Sequence, residues 1–313
     1  MCEATAPGKI ILFGEHAVVY GRSAIAAPVS QLRATATIAA NNTAGIRLIA
    51  PDLEIDVQLG TLPDEDALAM TVRQVQRAIN LPQLPDLTIT IHSDIPIASG
   101  LGSGAAISAA IIRALATYLK QPQLLDNKIV SELTYEVEKI HHGTPSGIDN
   151  TVVAYEQPVY FTRRQPTNLI EPFEVKRPLH LIIGHTGMRS STKTVVMDVR
   201  RQWEADSVTF EAIFDACGDV AKAARFAIEQ GDMAQIGRLM SENHVWLQKM
   251  SVSSPKLDKL VDAAMAAGAL GAKLSGAGRG GNMIALIEAG METAVSEALF
   301  AAGAMSVFQT RIS

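Results

Sequence analysis

A glycine-rich loop between a predicted strand and a predicted helix constrains the fold of this chain more than any other stretch. The loop and the start of its helix run Asp94-Ile-Pro-Ile-Ala-Ser-Gly-Leu-Gly-Ser-Gly-Ala-Ala-Ile-Ser108. The preceding residues, Leu87-Thr-Ile-Thr-Ile-His92, alternate as in a strand, and apolar residues from Ile107 to Tyr118 recur at helical spacing. Three glycines let backbone N–H groups approach an anion, and the helix N-terminus adds unpaired donors. The pattern predicts a phosphate site, with a plain strand-to-helix turn as the equally weighted alternative.

Composition and charge argue against several classes of partner. The 313 residues are 48% hydrophobic and carry a formal net charge of −5, with no block of like charges. We therefore expect neither nucleic acid nor an acidic membrane as the main partner. No apolar run reaches the roughly 18 residues of a membrane span, and the N-terminus lacks the pattern of a signal peptide. Cys2 and Cys217 lie far apart without a disulfide or metal motif, so we expect a soluble cytoplasmic protein.

The first half of the chain is predicted to mix strands with helices. Strands are expected at 3–11 (interrupted at Pro7-Gly8), 24–30, 33–39, 45–50, 53–58 and 87–92. Helices are expected at 64–80, behind the glycine-rich loop to near residue 121, and at 126–140. Asp126 is the expected N-cap of the third helix. The run Thr151–Ala154 has the β-branched composition of a strand, which would place Asp149 at a loop-to-strand corner. An edge hairpin is expected at 157–164.

A proline-punctuated stretch from residue 165 to residue 178 marks the predicted domain boundary, which divides the chain into 1–175 and 176–313. The second half is predicted to contain strands at 179–184, 283–287 and 304–311 and helices at 192–203, 207–230, 232–249, 254–267 and 291–302. Gly276-Ala-Gly-Arg-Gly-Gly281 formally matches a dinucleotide fingerprint. Because a strand-like run follows it, we interpret it as a loop between two strands.

Several polar residues stand where apolar neighbours would bury them. Lys9, Glu15 and His16 lie in an apolar segment, and an unpaired buried polar group costs a few kcal/mol. They are therefore predicted to be paired or functional, one interpretation being a structural ion pair between Lys9 and Glu15. Glu138 and Asp149 flank a second polar loop. Helical carboxylates of this kind are solvated by default, and Glu138 stands out because it directly precedes the loop, whereas the alternative for Asp149 is an Asx turn or a cap. The two histidines in that loop are adjacent, which is not the spacing of a helical zinc site, so we interpret them as hydrogen-bonding groups.

Two glycine-rich loops together with these polar groups favour phosphoryl transfer from a nucleotide. That reaction requires neutralised phosphate charge, a metal ion and a base for the acceptor hydroxyl. The chain contains no Walker sequence, no HRD or DFG motif and no G-x-S-x-G element. It therefore matches neither the P-loop enzymes, the protein kinases nor the serine hydrolases.

Three motifs in order resemble those of the GHMP kinases: Pro7–Gly21, Pro96–Ala106 and Lys273–Gly281. The sequences Gly-Glu-His-Ala-Val-Val-Tyr-Gly and His-Gly-Thr-Pro-Ser-Gly-Ile-Asp-Asn are most similar to the mevalonate kinase branch. The resemblance covers Pro7 to Leu286. It implies a two-domain α+β fold, with an ATP-binding N-terminal mixed sheet containing a left-handed βαβ unit, a C-terminal ferredoxin-like domain, and an active site in the cleft between them.

The resemblance also implies roles for individual residues. Asp149 matches the catalytic aspartate that accepts the proton of the substrate hydroxyl, and Lys9 matches the lysine that stabilises it and the transferring phosphoryl group. Glu138 matches the magnesium-binding glutamate, with Ser103 as a second candidate ligand. The expected substrate contacts are Glu15, His16, Lys9, Asp149 and Thr192. The expected ATP-phosphate loop comprises Pro96, Ile97, Ala98, Ser99, Gly100, Leu101, Gly102, Ser103, Gly104 and Ala105.

The implied reaction is transfer of the γ-phosphoryl group of ATP, with Mg²⁺, to the C5 hydroxyl of mevalonate. The alternatives are another GHMP kinase acting on phosphomevalonate, the mevalonate 3-hydroxyl, a sugar or homoserine, a non-catalytic ligand sensor, and a structural protein with glycine turns. A homodimer is left open. Two residues depart from the family pattern: Gly104 replaces a metal-binding serine, and Arg279 replaces a common glycine. Arg279 would either add positive charge near the phosphates or point to solvent.

Overall fold

The computed structural model describes residues 1–96, 99–142, 145–164, 168–188 and 190–313, and only the backbone of Leu53, His141 and His142. The expectations for Ile97, Ala98 and the side chains of the two loop histidines therefore lie outside the described residues. The chain divides into two compact units. Unit 1 comprises Met1–Lys9, Leu32–Ile97 and Leu101–Glu156, and unit 2 comprises Ile10–Gln31, Ala98–Gly100 and Gln157–Ser313.

Runs of strands and runs of helices follow one another along the chain, as expected for the predicted α+β class. The strands are β1 (Cys2–Phe13), β2 (Ser23–Ala40), β3 (Ile46–Ala50), β4 (Ile55–Gln58), β5 (Leu87–Ser93), β6 (Val159–Thr162), β7 (Leu169–Pro172), β8 (Leu179–His185), β9 (Gly271–Ser275), β10 (Asn282–Ile287) and β11 (Ser306–Ile312). The helices are α1 (Ala67–Ala78), α2 (Ser103–Tyr118), α3 (Asn127–His142), α4 (Ile148–Tyr155), α5 (Thr192–Ala205), α6 (Ser207–Gln230), α7 (Met233–Lys249), α8 (Pro255–Ala266) and α9 (Glu292–Ala302).

Unit 1 combines a mixed sheet with helices α1 to α4. The strand order is β4-β3-β5-β2, in which β3 and β5 are parallel and the other pairs are antiparallel. Leu87, Ile89 and Ile91 are buried on one face of β5, which confirms the strand predicted from their alternation. Helix α2 follows the glycine-rich loop as predicted, and most of its alanine and isoleucine side chains are buried. The carboxylate of Asp126 caps α3 by accepting the backbone N–H groups of Lys128 and Ile129, also as predicted.

Two strands continue through points where a break was predicted. Strand β1 runs through Pro7-Gly8, because the fixed φ of proline is compatible with an extended backbone. The two strands expected at 24–30 and 33–39 form the single 18-residue strand β2, since no turn-forming residue separates them. Within unit 2, residues 23–26 of β2 pair with β6, and β6 pairs with β7. The hairpin expected at 157–164 is therefore longer than predicted and consists of β6 and β7.

The segment after the second polar loop is a helix and not the predicted strand. Helix α4 begins after Gly147, whose φ of 91° suits glycine, and Asp149 lies in its first turn. The hydroxyl of Thr151 donates to the carbonyl of Gly147 at 2.6 Å. Val152 and Val153 are fully buried. Burial and this local hydrogen bond override the weak strand preference of β-branched residues.

Unit 2 also contains an antiparallel sheet with the order β11-β8-β10-β9. Four helices, α5 to α8, connect β8 to β9, and α9 connects β10 to β11, which is the connectivity and strand order of a ferredoxin-like fold. The helices bury Phe214, Leu257 and Val295 against Leu274 and Met283 of the sheet. None of the helices in the described ranges is long and apolar enough to cross a membrane.

Candidate active site

The two residues predicted to be catalytic lie together in unit 1. Nζ of Lys9 on β1 is 3.2 Å from Oδ2 of Asp149, and the two side chains are 8% and 26% exposed. The carboxylate is thus accessible from solvent, while the ammonium lies beneath it. Both the ammonium and the N-terminus of α4 stabilise negative charge at Asp149. Lys9 therefore pairs with Asp149, and the interpretation that it pairs with Glu15 is wrong.

Lys9 is positioned by the glycine-rich loop. Its backbone N–H donates to the carbonyl of Leu101 at 2.8 Å. Gly102 is the N-cap of α2 with a φ of 75°, a conformation that glycine adopts without strain. A Cβ at this position would lie only 2.7 Å from Cγ of Lys9. Glycine at 102 is therefore required both by the backbone and by the path of the lysine side chain.

The N-terminus of α2 is suited to bind an anion. Its N-cap, Gly102, has no side chain that could accept from the N–H groups of the first turn, which are the groups that a helix leaves without an intrahelical partner. Leu101 and Ala105 are buried and anchor the loop, whereas Ser103 is partly exposed and Gly104 is exposed. Pro96 is partly buried where the loop begins after β5. This arrangement suits phosphate oxygens.

Glu138 on α3 faces the start of α2. It is 3% exposed, and a Cβ on Gly104 would lie 3.5 Å from its Oε1, an ordinary van der Waals distance. A serine at 104 would therefore fit. Among the residues that the structure describes, no three His, Cys, Asp or Glu side chains form a metal cluster. Glu138 and Ser103 offer one carboxylate and one hydroxyl, a sparse oxygen set that fits Mg²⁺, which keeps waters and binds phosphate oxygens.

Asn150 anchors the helix that carries Asp149, and the sequence analysis did not identify it. Its amide Nδ2 donates to Oγ and the backbone carbonyl of Ser131 on α3, at 2.8 and 3.1 Å. Asn150 is buried, so these bonds are shielded from water. They hold α4 against α3 and thereby fix the position of the Asp149 carboxylate. The sequence signal that could have identified Asn150 is its polar amide directly before the β-branched run 151–153.

Glu15 forms a buried ion pair in unit 2. Its Oε1 accepts from Nζ of Lys273 on β9, and the two side chains are 1% and 0% exposed. Lys273 also donates to the carbonyl of Leu274 at 2.6 Å. Burial raises the pKa of Glu15 and lowers the pKa of Lys273, and the attraction between them opposes both shifts. Glu15 is thus enclosed by protein and paired with Lys273. This pairing does not test the contact with the substrate that the sequence suggests, and that contact stays a prediction.

His16 is buried next to Glu15 and joins the third glycine-rich segment. Its Nε2 donates to the carbonyl of Ala277 at 2.8 Å. Burial lowers the pKa of His16 to about 4, so the imidazole is neutral at neutral pH. The hydrogen bond fixes the segment after β1 to the loop between β9 and β10.

Arg279 in that loop does not simply point to solvent, which was one of its two predicted alternatives. The other alternative, positive charge near the phosphates, stays a prediction. Its Nη1 donates to Oδ2 of Asp198 on α5 at 2.5 Å, and its Nε donates to the carbonyl of Ser251 at 3.0 Å. The guanidinium is therefore directed at groups of unit 2 and is one-third exposed. Hydrogen bonds from Arg201 and then from Arg279 lower the pKa of Asp198. The charge of Arg279 is thus paired within unit 2.

Two further expected ligand contacts lie in unit 2. The carbonyl of Ser99 accepts from Nδ2 of Asn282 at 2.6 Å, and Oδ1 of Asn282 lies 2.9 Å from Nδ1 of His185. Asn282 thus holds part of the expected ATP loop, a role that the sequence did not indicate. Thr192 is exposed as the first residue of α5, and Ser191 caps that helix by accepting the N–H of Thr194.

Comparison with known proteins was made on sequence and on structure. The family profile described as GHMP kinases N terminal domain matches residues 67–157, and that described as GHMP kinases C terminal matches residues 224–304. A mevalonate kinase of Thermococcus onnurineus is 36% identical over 302 residues, which cover 90% of this chain and 88% of the relative.

Two solved structures share the fold over almost the whole length. The crystal structure of L. major mevalonate kinase in complex with R-mevalonate has a TM-score of 0.87 and 28% identity, and the match covers 100% of this chain and 96% of that chain. The Methanococcus jannaschii mevalonate kinase has a TM-score of 0.85 and 28% identity, with 99% and 98% covered. These matches agree with the three sequence motifs that resemble the GHMP kinases and with the predicted two-domain α+β fold.

Proposed function

The chain belongs to the GHMP kinase family, and we propose that it acts as a mevalonate kinase. The proposed reaction transfers the γ-phosphoryl group of ATP to the 5-hydroxyl of (R)-mevalonate, giving 5-phosphomevalonate and ADP. The ion pair between Lys9 and Asp149 carries the proposal, because it presents an accessible carboxylate beside an ammonium. The names of the relatives and the bound R-mevalonate of the L. major structure support the choice of acceptor.

The proposed mechanism assigns the proton and the phosphoryl group to separate residues. Asp149 accepts the proton of the C5 hydroxyl as the oxygen forms its bond to the γ-phosphorus, and the bond from that phosphorus to ADP breaks. Lys9 stabilises both Asp149 and the phosphoryl group in transfer. N–H groups at the start of α2 bind phosphate oxygens, together with the loop from Pro96 to Ala105.

The remaining expected residues would bind the metal and the acceptor. Glu138 and Ser103 would hold Mg²⁺, which neutralises charge on the ATP phosphates when it is bound. Glu15, His16 and Thr192 would contribute to the mevalonate site. Thr192 suits the carboxylate of this acceptor, since it lies at a helix N-terminus.

An acceptor panel tests the proposal. ATP consumption is measured with mevalonate, phosphomevalonate, homoserine and galactose, and NMR of the product identifies the phosphorylated hydroxyl. We expect the highest kcat/KM with mevalonate and phosphate on C5. A preference for another acceptor, or phosphate on the 3-hydroxyl, would overturn the assignment. Binding without turnover would indicate a ligand sensor. Light scattering of the same sample tests the homodimer that the sequence left open.

A further inference from the structure

Arg279 occupies a backbone conformation that favours glycine. Its φ is 56°, in the left-handed region, and it stands in a loop whose neighbours Gly278 and Gly281 also have positive φ. A long side chain persists in such a conformation when its surroundings hold it there. The loop is 276–281, between β9 and β10, and we call it the β9–β10 loop.

Two hydrogen-bond acceptors of unit 2 hold the side chain of Arg279. The guanidinium donates to Asp198 in the second turn of α5 and to the carbonyl of Ser251. The backbone N–H donates to the carbonyl of Val252 at 2.7 Å. The Arg279 and Asp198 side chains are 33% and 19% exposed, so this charge-assisted bond is partly buried. We call the bond between Arg279 and Asp198 the α5 clamp.

The same loop also holds the segment that leads into α5. The hydroxyl of Ser190 donates to the carbonyl of Gly278 at 2.6 Å, and the N–H of Gly281 donates to the carbonyl of Met188 at 2.9 Å. Helix α5 is therefore attached to the β9–β10 loop at two levels, just before its N-terminus and in its second turn. These two attachments act together with the burial of Val195 and Val199 in the core of unit 2 to fix the direction of the helix axis.

We propose that Arg279 is a positioning residue for the phosphoryl acceptor. The α5 clamp sets where the exposed N-terminus of α5 stands, and Thr192 moves with it. This inference rests on the proposed function, in which Thr192 contacts the acceptor. The clamp joins the β9–β10 loop to the second turn of α5, so it acts on the acceptor through that helix, and its loss weakens acceptor binding selectively.

The test compares Arg279→Gly with a matched control, Arg201→Gln. Glycine suits the positive φ and keeps the loop backbone unstrained, while it removes the clamp. Arg201 bonds the same Asp198 carboxylate from within α5, so its removal leaves the loop attached. Asp198→Asn removes the carboxylate from the other side of the clamp. KM for mevalonate, KM for ATP and kcat are measured for each variant, with hydrogen exchange of the amides in α5.

We expect Arg279→Gly and Asp198→Asn to raise KM for mevalonate about fivefold to tenfold, a change on the order of the net contribution of one ordinary hydrogen bond. KM for ATP and kcat stay within about twofold of the wild type, and amides in the first two turns of α5 exchange faster. Arg201→Gln leaves all these values unchanged.

Two results overturn the inference. Unchanged exchange in α5 would show that the clamp does not hold the helix, and faster exchange without a change in acceptor KM would show that the helix does not position the acceptor. If the wild type prefers a different acceptor, the proposed function fails, and KM for that acceptor then decides the inference.

Discussion

Lys9 and Asp149 belong to one candidate site but differ in their exposure to solvent. The lysine is almost wholly enclosed, while about a quarter of the aspartate side chain is open to solvent. An enclosed ammonium interacts more strongly with a neighbouring carboxylate than an exposed one does, because less water screens it. The open carboxylate remains able to meet a hydroxyl group. At the residue scale, the proposed base and its stabiliser are therefore distinguished by burial.

Asp149→Asn should lower kcat by about 10²- to 10⁴-fold, since an amide of the same shape cannot accept the proton. ATP binding, measured by calorimetry, should stay nearly unchanged. Asp126→Asn is the matched control: Asp126 caps α3 in the same unit, and asparagine caps helices equally well. A kcat for Asp149→Asn within threefold of the wild type would show that Asp149 is not the base.

Gly104→Ser should tighten the dependence on Mg²⁺. The structure has room for the side chain, 3.5 Å from Oε1 of Glu138, and the new hydroxyl is a hard oxygen ligand. We expect the Mg²⁺ concentration at half-maximal activity to fall, with a parallel change in Mg²⁺-dependent ATP binding. Gly104→Ala separates the hydroxyl from the added bulk. The same midpoint in serine and alanine variants would show that Ser103 or water already fills this position.

Elements with strong periodicity could be predicted from the sequence, and elements stabilised by tertiary contacts could not. Helices α6 and α8 and strand β5 lie where their apolar spacing and caps indicated. Helix α4 was predicted as a strand because its β-branched residues were judged without their burial. The bonds from Asn150 to Ser131 that hold this helix join residues 19 positions apart. No local pattern indicates such a pairing.

The same limit applies to the candidate site. The sequence indicated four charged residues as candidates for the site, because each stands in an unusual position: Lys9, Glu15, Glu138 and Asp149. It did not indicate which charges pair. Glu15 pairs with Lys273, which is 258 residues away, and this partner lies in a strand that otherwise looks apolar. The boundary between residues 175 and 176 and the roles assigned to individual residues stay predictions.

Gly102→Ala should disturb the junction between the glycine-rich loop and α2. The new Cβ would meet Cγ of Lys9 at 2.7 Å, and alanine is strained at a φ of 75°. We expect a loss of about 1–2 kcal/mol in the free energy of unfolding and a large drop in kcat as Lys9 is displaced. Thermal denaturation and steady-state kinetics measure both. Gly104→Ala, two residues on and free of positive φ, should retain stability. Unchanged kcat in Gly102→Ala would contradict the proposed link between loop and lysine.

At the scale of the whole molecule, His16 makes folding sensitive to acid. Its pKa is lowered to about 4 by burial, whereas an unfolded histidine titrates near 6.5. Between these values the unfolded chain binds a proton that the folded chain excludes. The stability present above pH 6.5 is therefore lost as the pH falls towards 4, by up to about 3 kcal/mol.

Urea unfolding of the wild type and His16→Gln between pH 7.5 and 4 measures this contribution. Glutamine keeps a donor for the Ala277 carbonyl but does not titrate, so the difference in stability between the two proteins should shrink or reverse as the pH falls. His244, whose pKa burial also lowers, contributes equally to both proteins and cancels. A constant difference across the range would show that His16 takes up its proton equally in the folded and the unfolded chain, and thus that burial does not lower its pKa.

The chain passes between its two units several times, which limits how the protein can be divided into two polypeptides. Residues 10–31 belong to unit 2, although the segments on both sides of them belong to unit 1, and Lys9 is the last residue before this first crossing. A cut at any single peptide bond therefore leaves at least one unit with its parts on two polypeptides. Two separately expressed halves could become an enzyme only by folding together. Gene fission would thus demand coupled folding of both products from the start.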